Sequence, residues 1–388
     1  MDFSLDERAE AFRAEVREFL RAHLTDEVRA RVAASGTYHD WEFHRAIAGK
    51  GWIGAAWPVE DGGQGRDRAD MDILYEEMAA AGAPVEGMSV TLIIAETLRR
   101  AGTPEQRERI LGPVREGRLL LSLGYTEPDA GSDLASARTR AVRDGDGWRI
   151  TGQKNFTTHA HEADYVFLLA RTDPQARKHA GLTMFLVPTS AEGFSLAPVH
   201  TLSGERTNLT FYEDVYVPDT ARVGAVGQGW EIVSLALAFE RGGEFAAQLR
   251  RLVHATVTWA HAAGREGDPR LLRRLGRAVT ATEVSRLLGS RATWLRTTER
   301  AGAVEGAMAK VYATEALVRW TGELLDATGE RGLLNPGTRD APAGGELQHL
   351  YREAQISTLY GGTSEVLRGV VAERHLGLPR SRRGSGGS

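Results

Sequence analysis

The spacing of apolar residues changes twice along the chain, and this change limits the fold more than any other feature. Near the N-terminus Leu5, Ala9 and Phe12 recur at three- and four-residue steps, which indicates an amphipathic helix. From about Leu121 the chain breaks into short β-rich runs that end at Pro, Gly or Asp, and helical spacing returns at Gly229. The order of helices, β segment and helices predicts an α+β multidomain protein. The predicted domains are 1–120 (helical), 121–228 (β) and 229–380 (helical), with a disordered tail over 381–388.

Local signals place loops and turns within these domains. The stretch WPVEDGGQG (Trp57 to Gly65) combines Pro and Gly and predicts a loop. A helix is expected to begin at Thr103, with Pro104 in its first turn. The stretch from Arg138 to Gly152 alternates around an Asp-Gly pair, which predicts a β-hairpin.

Composition excludes several classes of protein. A chain of 388 residues is long enough for two or three packed units. Its net charge of −4 gives no reason to expect nucleic-acid binding, and the absence of cysteine excludes disulfides and thiolate chemistry. The longest apolar run, IVSLALAF, is too short for a membrane span. The N-terminus lacks the features of a signal peptide, so a cytoplasmic enzyme is expected.

Two polar segments are candidate sites. YTEPDAGSD (Tyr125 to Asp133) lies where helix gives way to β structure, and its small and hydroxyl residues expose donors that can grip a polar cofactor ring. The alternative is an ordinary interdomain turn. HAH (His159 to His161) is compatible with a metal pair, but no third ligand has suitable spacing. A polar loop is therefore preferred there, and no metal is expected.

Several motifs in order resemble the acyl-CoA dehydrogenase family. They are YTEPDAGSD, ITGQKNFTTHAHEADY and YGGTSEVLRGVVAERHLG, supported by WPVEDGGQG, GTPEQRERIL and FYEDVYVP. The resemblance covers nearly the whole chain. It implies an N-terminal helical domain, a middle β-barrel-like domain and a C-terminal four-helix bundle. It also implies bound FAD and α,β-desaturation of an acyl thioester.

The resemblance assigns roles to residues of the β domain. Tyr125, Thr126 and Ser132 align with the loop that lines the flavin and the acyl chain. Phe156 aligns with an aromatic residue, often Trp, that packs on the isoalloxazine ring, and Thr158 aligns with a hydroxyl near flavin N5.

Further roles fall in the C-terminal part of the chain. Thr363 and Glu365 align with residues near the FAD pyrophosphate and adenosine, usually reached across a subunit boundary. Gly329 aligns with a glycine turn beside the same phosphates. The family's Arg-x-x-Phe-Gly motif is replaced by GREGDPRLLRRLG, in which Arg265 is the candidate substitute.

The family's common catalytic glutamate is missing, because Gly361 follows Tyr360. The Gly361 N–H remains able to polarise a thioester carbonyl. Glu240, after an apolar helical run, matches with Arg241 the alternative base position of the isovaleryl-CoA and long-chain branches. The missing C-terminal-loop glutamate also resembles actinobacterial sterol-degradation members of the family. Glu240 is therefore the candidate base and Gly361 its catalytic partner, with Ser132 and Arg241 as candidate substrate contacts. A structural Glu-Arg pair at a helix surface is the alternative, and Glu244 is a weaker candidate.

The resemblance thus implies an FAD-dependent dehydrogenase acting on an acyl-CoA or an acyl-carrier-protein substrate. Electrons are expected to pass to an electron-transfer flavoprotein, and the chain is expected to form a homodimer or homotetramer. Two alternatives stay open. One is a flavin monooxygenase or N-hydroxylase on the same fold. The other is a non-catalytic subunit of a hetero-oligomeric dehydrogenase.

Overall fold

The computed structural model describes residues 6–239, 244–297 and 303–379. They pack into two compact units: one holds 6–74 with 81–239, and the other holds 75–80 with 244–297 and 303–379. Within these ranges, none of the helices combines the length and apolarity needed to cross a membrane.

The first unit begins with helices, and the sequence signal at the start of one of them is an N-terminal capping box. The helices are α1 (Glu7–His23), α2 (Asp26–Ser35), α3 (Trp41–Gly49), α4 (Arg68–Ala81), α5 (Glu86–Ala101) and α6 (Pro104–Arg115). Residues 75–80 of α4 belong to the second unit. The predicted start at Thr103 is confirmed, because its hydroxyl accepts from Gln106 N–H while the Gln106 side chain accepts from Thr103 N–H. Phe19 packs against Phe43 and Trp52 in the core of these helices.

The same unit continues into one mixed sheet. Its strands are β1 (Leu121–Gly124), β2 (Arg140–Asp144), β3 (Gly147–Lys154), β4 (Tyr165–Arg171), β5 (Leu182–Pro188), β6 (Phe194–His200), β7 (Arg206–Pro218) and β8 (Arg222–Val223). Their order is β6-β7-β3-β2-β4-β5-β8, and β1 pairs with β4 in parallel. The predicted hairpin is confirmed as β2–β3, in which Asp144 pairs with Gly147 across the turn. Buried side chains of these strands, including Trp148, Phe185 and Tyr212, form one apolar core.

Helices and sheet are joined within this unit by polar contacts as well as apolar packing. Thr91 on α5 accepts from Leu121 N–H through its hydroxyl at 2.9 Å. The Gln106 side chain donates to the carbonyls of Thr220 and Arg222 at 2.8 and 2.9 Å. Helix α7 (Gly229–Phe239) ends the unit and packs on α5 and β5. These contacts anchor the sheet, and the loops that leave it, on the N-terminal helices.

The second unit is helical. It contains α8 (Glu244–Ala262), α9 (Pro269–Thr297), α10 (Ala303–Asp326), α11 (Glu346–Ser357) and α12 (Ser364–Arg374). Leu249, Leu317 and Leu347, from three of these helices, are buried in one apolar core. The predicted succession of N-terminal helices, β domain and C-terminal helices is therefore confirmed.

Candidate active site

The loop after β3 holds an exposed aromatic ring in a conformation that side chains rarely adopt. Phe156 has φ 55°, and its side chain is 60% exposed. A left-handed backbone costs a bulky L-residue about 1 kcal/mol or more, and such strain persists where the surroundings enforce it. Here Asn155 N–H donates to the Thr126 carbonyl at 2.8 Å, and Thr157 N–H donates to the Asn208 carbonyl at 2.9 Å. These two bonds flank Phe156 and hold its ring toward solvent.

Thr158 follows two residues later on the same loop. Its carbonyl accepts from the Ser122 hydroxyl on β1 at 2.5 Å, and its own hydroxyl lies 3.2 Å from that of Thr207 on β7. The Thr158 side chain is half-buried, so its hydroxyl is positioned by the sheet and still reachable. A fixed hydroxyl beside an exposed ring suits a flat, polar ligand.

The YTEPDAGSD loop meets this segment at its first residues. Tyr125 is buried, Thr126 is half-buried, and the Thr126 carbonyl receives the Asn155 bond. The structure thus brings Tyr125 and Thr126 together with the Phe156 loop. Ser132 lies further along, on an exposed part of the loop.

A buried ion pair, absent from the sequence-based predictions, ties these two loops together. Lys154, the last residue of β3, is fully buried and its ammonium donates to the Glu127 carboxylate at 2.7 Å and the Tyr125 carbonyl at 3.1 Å. Burial lowers the pKa of Lys154 to about 8 against the opposing effect of the Glu127 charge. Burial alone would raise the pKa of Glu127, but Lys154 and the N–H groups of Arg138 and Thr139 hold it below its ordinary value. One lysine therefore fixes the start of both loops.

His159 belongs to a buried cluster instead of a simple polar loop. Its ring nitrogen lies 3.1 Å from the Glu86 carboxylate on α5. Burial opposes protonation of His159, yet Glu162 and Glu86 raise its pKa to about 9. His39 and His44 pack nearby with lowered pKa values of about 3 and about 4, caused mainly by burial. Within the described ranges no group of three or more His, Cys, Asp and Glu side chains is placed to hold a metal ion.

Helix α7 leads toward the proposed base. Ile232, Val233 and Ala236 are buried, as the apolar run predicts. Glu240 and Arg241 lie outside the described residues, and α8 begins at Glu244. The assignment of Glu240 as the base therefore stays a prediction from the sequence.

The C-terminal loop that carries Gly361 joins α11 to α12. Gly361 and Gly362 have φ 61° and 96°, values that glycine adopts without the cost a side chain would bring. Thr363 caps α12 by accepting from Val366 N–H at 3.2 Å, and Glu365 lies exposed in the first helical turn. The pKa of Glu365 is lowered by its own backbone N–H and by the Thr363 hydroxyl. An anionic, exposed first turn follows directly after the paired glycines.

The remaining predicted residues lie elsewhere in the helical unit. Gly329 has φ 65° and opens a short 3₁₀ turn, Gly329–Leu333. Arg265, in the turn between α8 and α9, forms an ion pair with Asp268 and lies 6.0 Å from the Trp259 ring. Whether Arg265 grips FAD stays a prediction.

Family models and solved structures match this chain over nearly its full length. The N-terminal, middle and C-terminal domains of acyl-CoA dehydrogenase match residues 6–118, 122–215 and 227–376. Acyl-CoA dehydrogenase FadE26 of Mycobacterium tuberculosis is 35% identical, over 99% of this chain and 100% of the relative.

Two solved structures are similarly close. The Tcur3481-Tcur3483 steroid ACAD is 35% identical with a TM-score of 0.92, over 98% of this chain and 100% of the other. The ChsE4-ChsE5 complex from Mycobacterium tuberculosis is 34% identical with a TM-score of 0.89, again over 98% and 100%. Together with the three domain matches, this similarity shows that the chain belongs to the acyl-CoA dehydrogenase family of flavoprotein oxidoreductases.

Proposed function

We propose that the protein binds FAD and desaturates an acyl-CoA thioester between its α- and β-carbons. The observation that carries this proposal is the loop after β3, where a strained backbone exposes the Phe156 ring beside the fixed Thr158 hydroxyl. An exposed ring in an enforced conformation is well suited to packing against a planar cofactor. Bound FAD supplies the acceptor for the hydride that leaves the β-carbon.

The residues present fit the isoalloxazine ring. Phe156 offers an apolar face, Thr158 a hydroxyl, and Tyr125 with Thr126 a wall that the Lys154–Glu127 pair holds in place. Thr363 and Glu365, at the start of α12, are the proposed contacts for the pyrophosphate and adenosine, supported by the N–H groups that a helix N-terminus presents. Gly329 and Arg265 are the other two proposed FAD contacts.

Two groups of the chain are proposed to act on the substrate's α-proton and thioester oxygen. Glu240 removes the α-proton, which requires a carboxylate positioned at that carbon. The Gly361 N–H donates to the thioester oxygen and stabilises the enolate-like charge that develops there. Ser132 and Arg241 are the proposed substrate contacts.

The proposed substrate class includes steroid acyl-CoA thioesters, since the Tcur3481-Tcur3483 relative is a steroid ACAD. Electrons are proposed to leave through an electron-transfer flavoprotein. The proposed assembly is a homodimer or homotetramer. Because ChsE4-ChsE5 is a complex of two named chains, a hetero-oligomer is the second candidate.

Anaerobic titration of the purified protein tests this function. Straight-chain, branched and steroid acyl-CoA thioesters are added separately, with one acyl-carrier-protein thioester, while the absorbance of oxidised flavin is followed. Bleaching by an acyl thioester supports the proposal. A flavin that no thioester reduces, and that reacts rapidly with oxygen once reduced chemically, supports a monooxygenase instead. Protein that takes up no FAD alone, but binds a partner chain, supports the non-catalytic subunit.

A further inference from the structure

A buried lysine on α10 holds the loop that carries Gly361. Lys310 is only 6% exposed, and its ammonium donates to the carbonyls of both Tyr360 and Gly362, the latter at 2.8 Å. The two acceptors lie immediately before and immediately after Gly361. Burying an ammonium is costly unless it is paired or hydrogen-bonded, so these carbonyls are part of what keeps Lys310 in place.

Aromatic side chains enclose the same ammonium. It lies 5.2 Å from the Tyr360 ring centroid and 6.0 Å from that of Phe245 on α8. The two rings are themselves 5.9 Å apart. Cation–π attraction adds to the hydrogen bonds, so the loop is tied to both α8 and α10.

The geometry of the Tyr360–Gly361 peptide bond determines where the Gly361 N–H points once Lys310 binds the Tyr360 carbonyl. The Tyr360–Gly361 peptide bond is trans, and a planar trans peptide points its C=O and its N–H in opposite directions. Because Lys310 holds the Tyr360 carbonyl, the Gly361 N–H must point away from the ammonium. Among the residues that the structure describes, the Gly361 N–H donates no hydrogen bond.

The lysine's charge also strengthens the donor. A cation bonded to a carbonyl oxygen polarises the whole peptide unit, and hydrogen bonds in such a chain reinforce one another. The Gly361 N–H is consequently both oriented and made a better donor than an ordinary backbone N–H.

We propose that Lys310 is a positioning residue for catalysis, which orients and polarises the Gly361 N–H toward the thioester oxygen. This inference rests on the proposed function. It assigns to a buried lysine on a neighbouring helix the orientation of the backbone donor at position 361.

Lys310→Met tests the inference, because methionine keeps the apolar stem and removes the charge and the donors. Lys310→Arg restores both. The matched control is Thr314→Val, one helical turn further on, where a buried hydroxyl bonded to the Lys310 carbonyl is lost without touching the loop. If Lys310→Met does not yield folded protein, Lys310→Leu, which also removes the charge and the donors, replaces it with the same expectation.

The main measurement is the carbonyl stretch of a bound thioester, by isotope-edited infrared difference spectroscopy. The probe is the 2-enoyl-CoA that corresponds to the acyl-CoA reducing the parent flavin fastest, labelled with ¹³C at the thioester carbonyl. Hydrogen bonding to the carbonyl lowers this frequency. We expect Lys310→Met to lose most of the shift that binding causes in the parent, and Lys310→Arg to keep most of it. The rate of flavin reduction should fall about 10–100-fold in Lys310→Met, less than removal of a whole oxyanion donor costs.

The outcomes separate this inference from the proposed function. A parent protein that no acyl-CoA reduces overturns the proposed function and the inference with it. A parent that is reduced normally, alongside a Lys310→Met variant with the full carbonyl shift, overturns the inference alone. A Thr314→Val variant that loses the shift as completely as Lys310→Met also overturns it, because the effect would then come from general loosening of α10.

Discussion

At the scale of single residues, the position of the catalytic base is the sharpest prediction. Glu240→Gln keeps the shape of the side chain but removes the proton acceptor. Flavin content and acyl-CoA binding should stay nearly intact, while single-turnover flavin reduction falls by about 10²–10⁴-fold. Glu244→Gln is the matched control and should cost far less. If Glu240→Gln reduces flavin as fast as the parent, Glu240 is not the base, and the alternative of a structural Glu-Arg pair is correct.

Moving the carboxylate is the complementary experiment. The double change Glu240→Gly with Gly361→Glu should recover part of the lost rate. Recovery is incomplete because Gly361 has φ 61°, where an L-residue costs about 1–2 kcal/mol. The new side chain also lacks supporting neighbours selected for it.

Phe156 allows a prediction that separates cofactor binding from stability. Its ring is mostly exposed, so Phe156→Ala should leave the unfolding transition of the flavin-free protein nearly unchanged. Loss of stacking should weaken FAD binding about fivefold or more, since an aromatic contact contributes about 1 kcal/mol beyond its buried area. Val142→Ala removes another exposed apolar side chain from the same sheet and should not change FAD affinity. Unchanged FAD affinity in Phe156→Ala would remove Phe156 from the cofactor site.

At the scale of elements, the buried histidines just before and on α3 predict acid sensitivity. His39 has a pKa lowered to about 3, first by burial and then by the charges of His44 and His159; Glu162 and Asp40 oppose this. Its native pKa is below the unfolded value of about 6.5, so the unfolded chain binds more protons between these values. Stability from neutral His39 is therefore complete above pH 6.5 and is lost as the pH falls.

His39→Leu should flatten this dependence. The difference in unfolding free energy between pH 7.5 and pH 5, measured by urea denaturation, should shrink by about 1–2 kcal/mol. His200→Leu, at an exposed position on β6, is the control and should behave as the parent does. If the unfolding free energy of His39→Leu changes between pH 7.5 and pH 5 as much as that of the parent, the His39 ring is not held neutral by burial.

The sequence predicted the type and order of elements better than it predicted their buried charges. Thr103 and the β2–β3 turn are local signals, because capping and two-residue hairpins depend on neighbouring residues. Lys154 and Lys310 gave no such signal. Their partners Glu127 and Tyr360 lie 27 and 50 residues away along the chain. A lysine between helical or strand residues ordinarily predicts a surface position, and only tertiary contacts reverse that expectation.

At the scale of the whole molecule, the exposed face of α9 predicts association between subunits. Leu272, Val279 and Leu287 are exposed at seven- and eight-residue steps, so they lie along one side of the helix. Val279→Glu should shift the proposed dimer or tetramer toward smaller species in sedimentation velocity and lower its FAD content. Thr280→Glu carries the same charge change about 100° around the helix and should perturb assembly less. A parent that is a monodisperse monomer with full FAD would contradict this prediction.

The proposed reaction removes two hydrogens from an acyl-CoA with the protein's own bound FAD. The direct measurement is one anaerobic turnover of purified protein with the acyl-CoA that bleaches its flavin, quenched and analysed by mass spectrometry. We expect a thioester two hydrogens lighter than the substrate, formed in equal amount to the flavin reduced, without oxygen. Unchanged thioester beside bleached flavin, or a product that gains an oxygen atom and forms only in air, would contradict it.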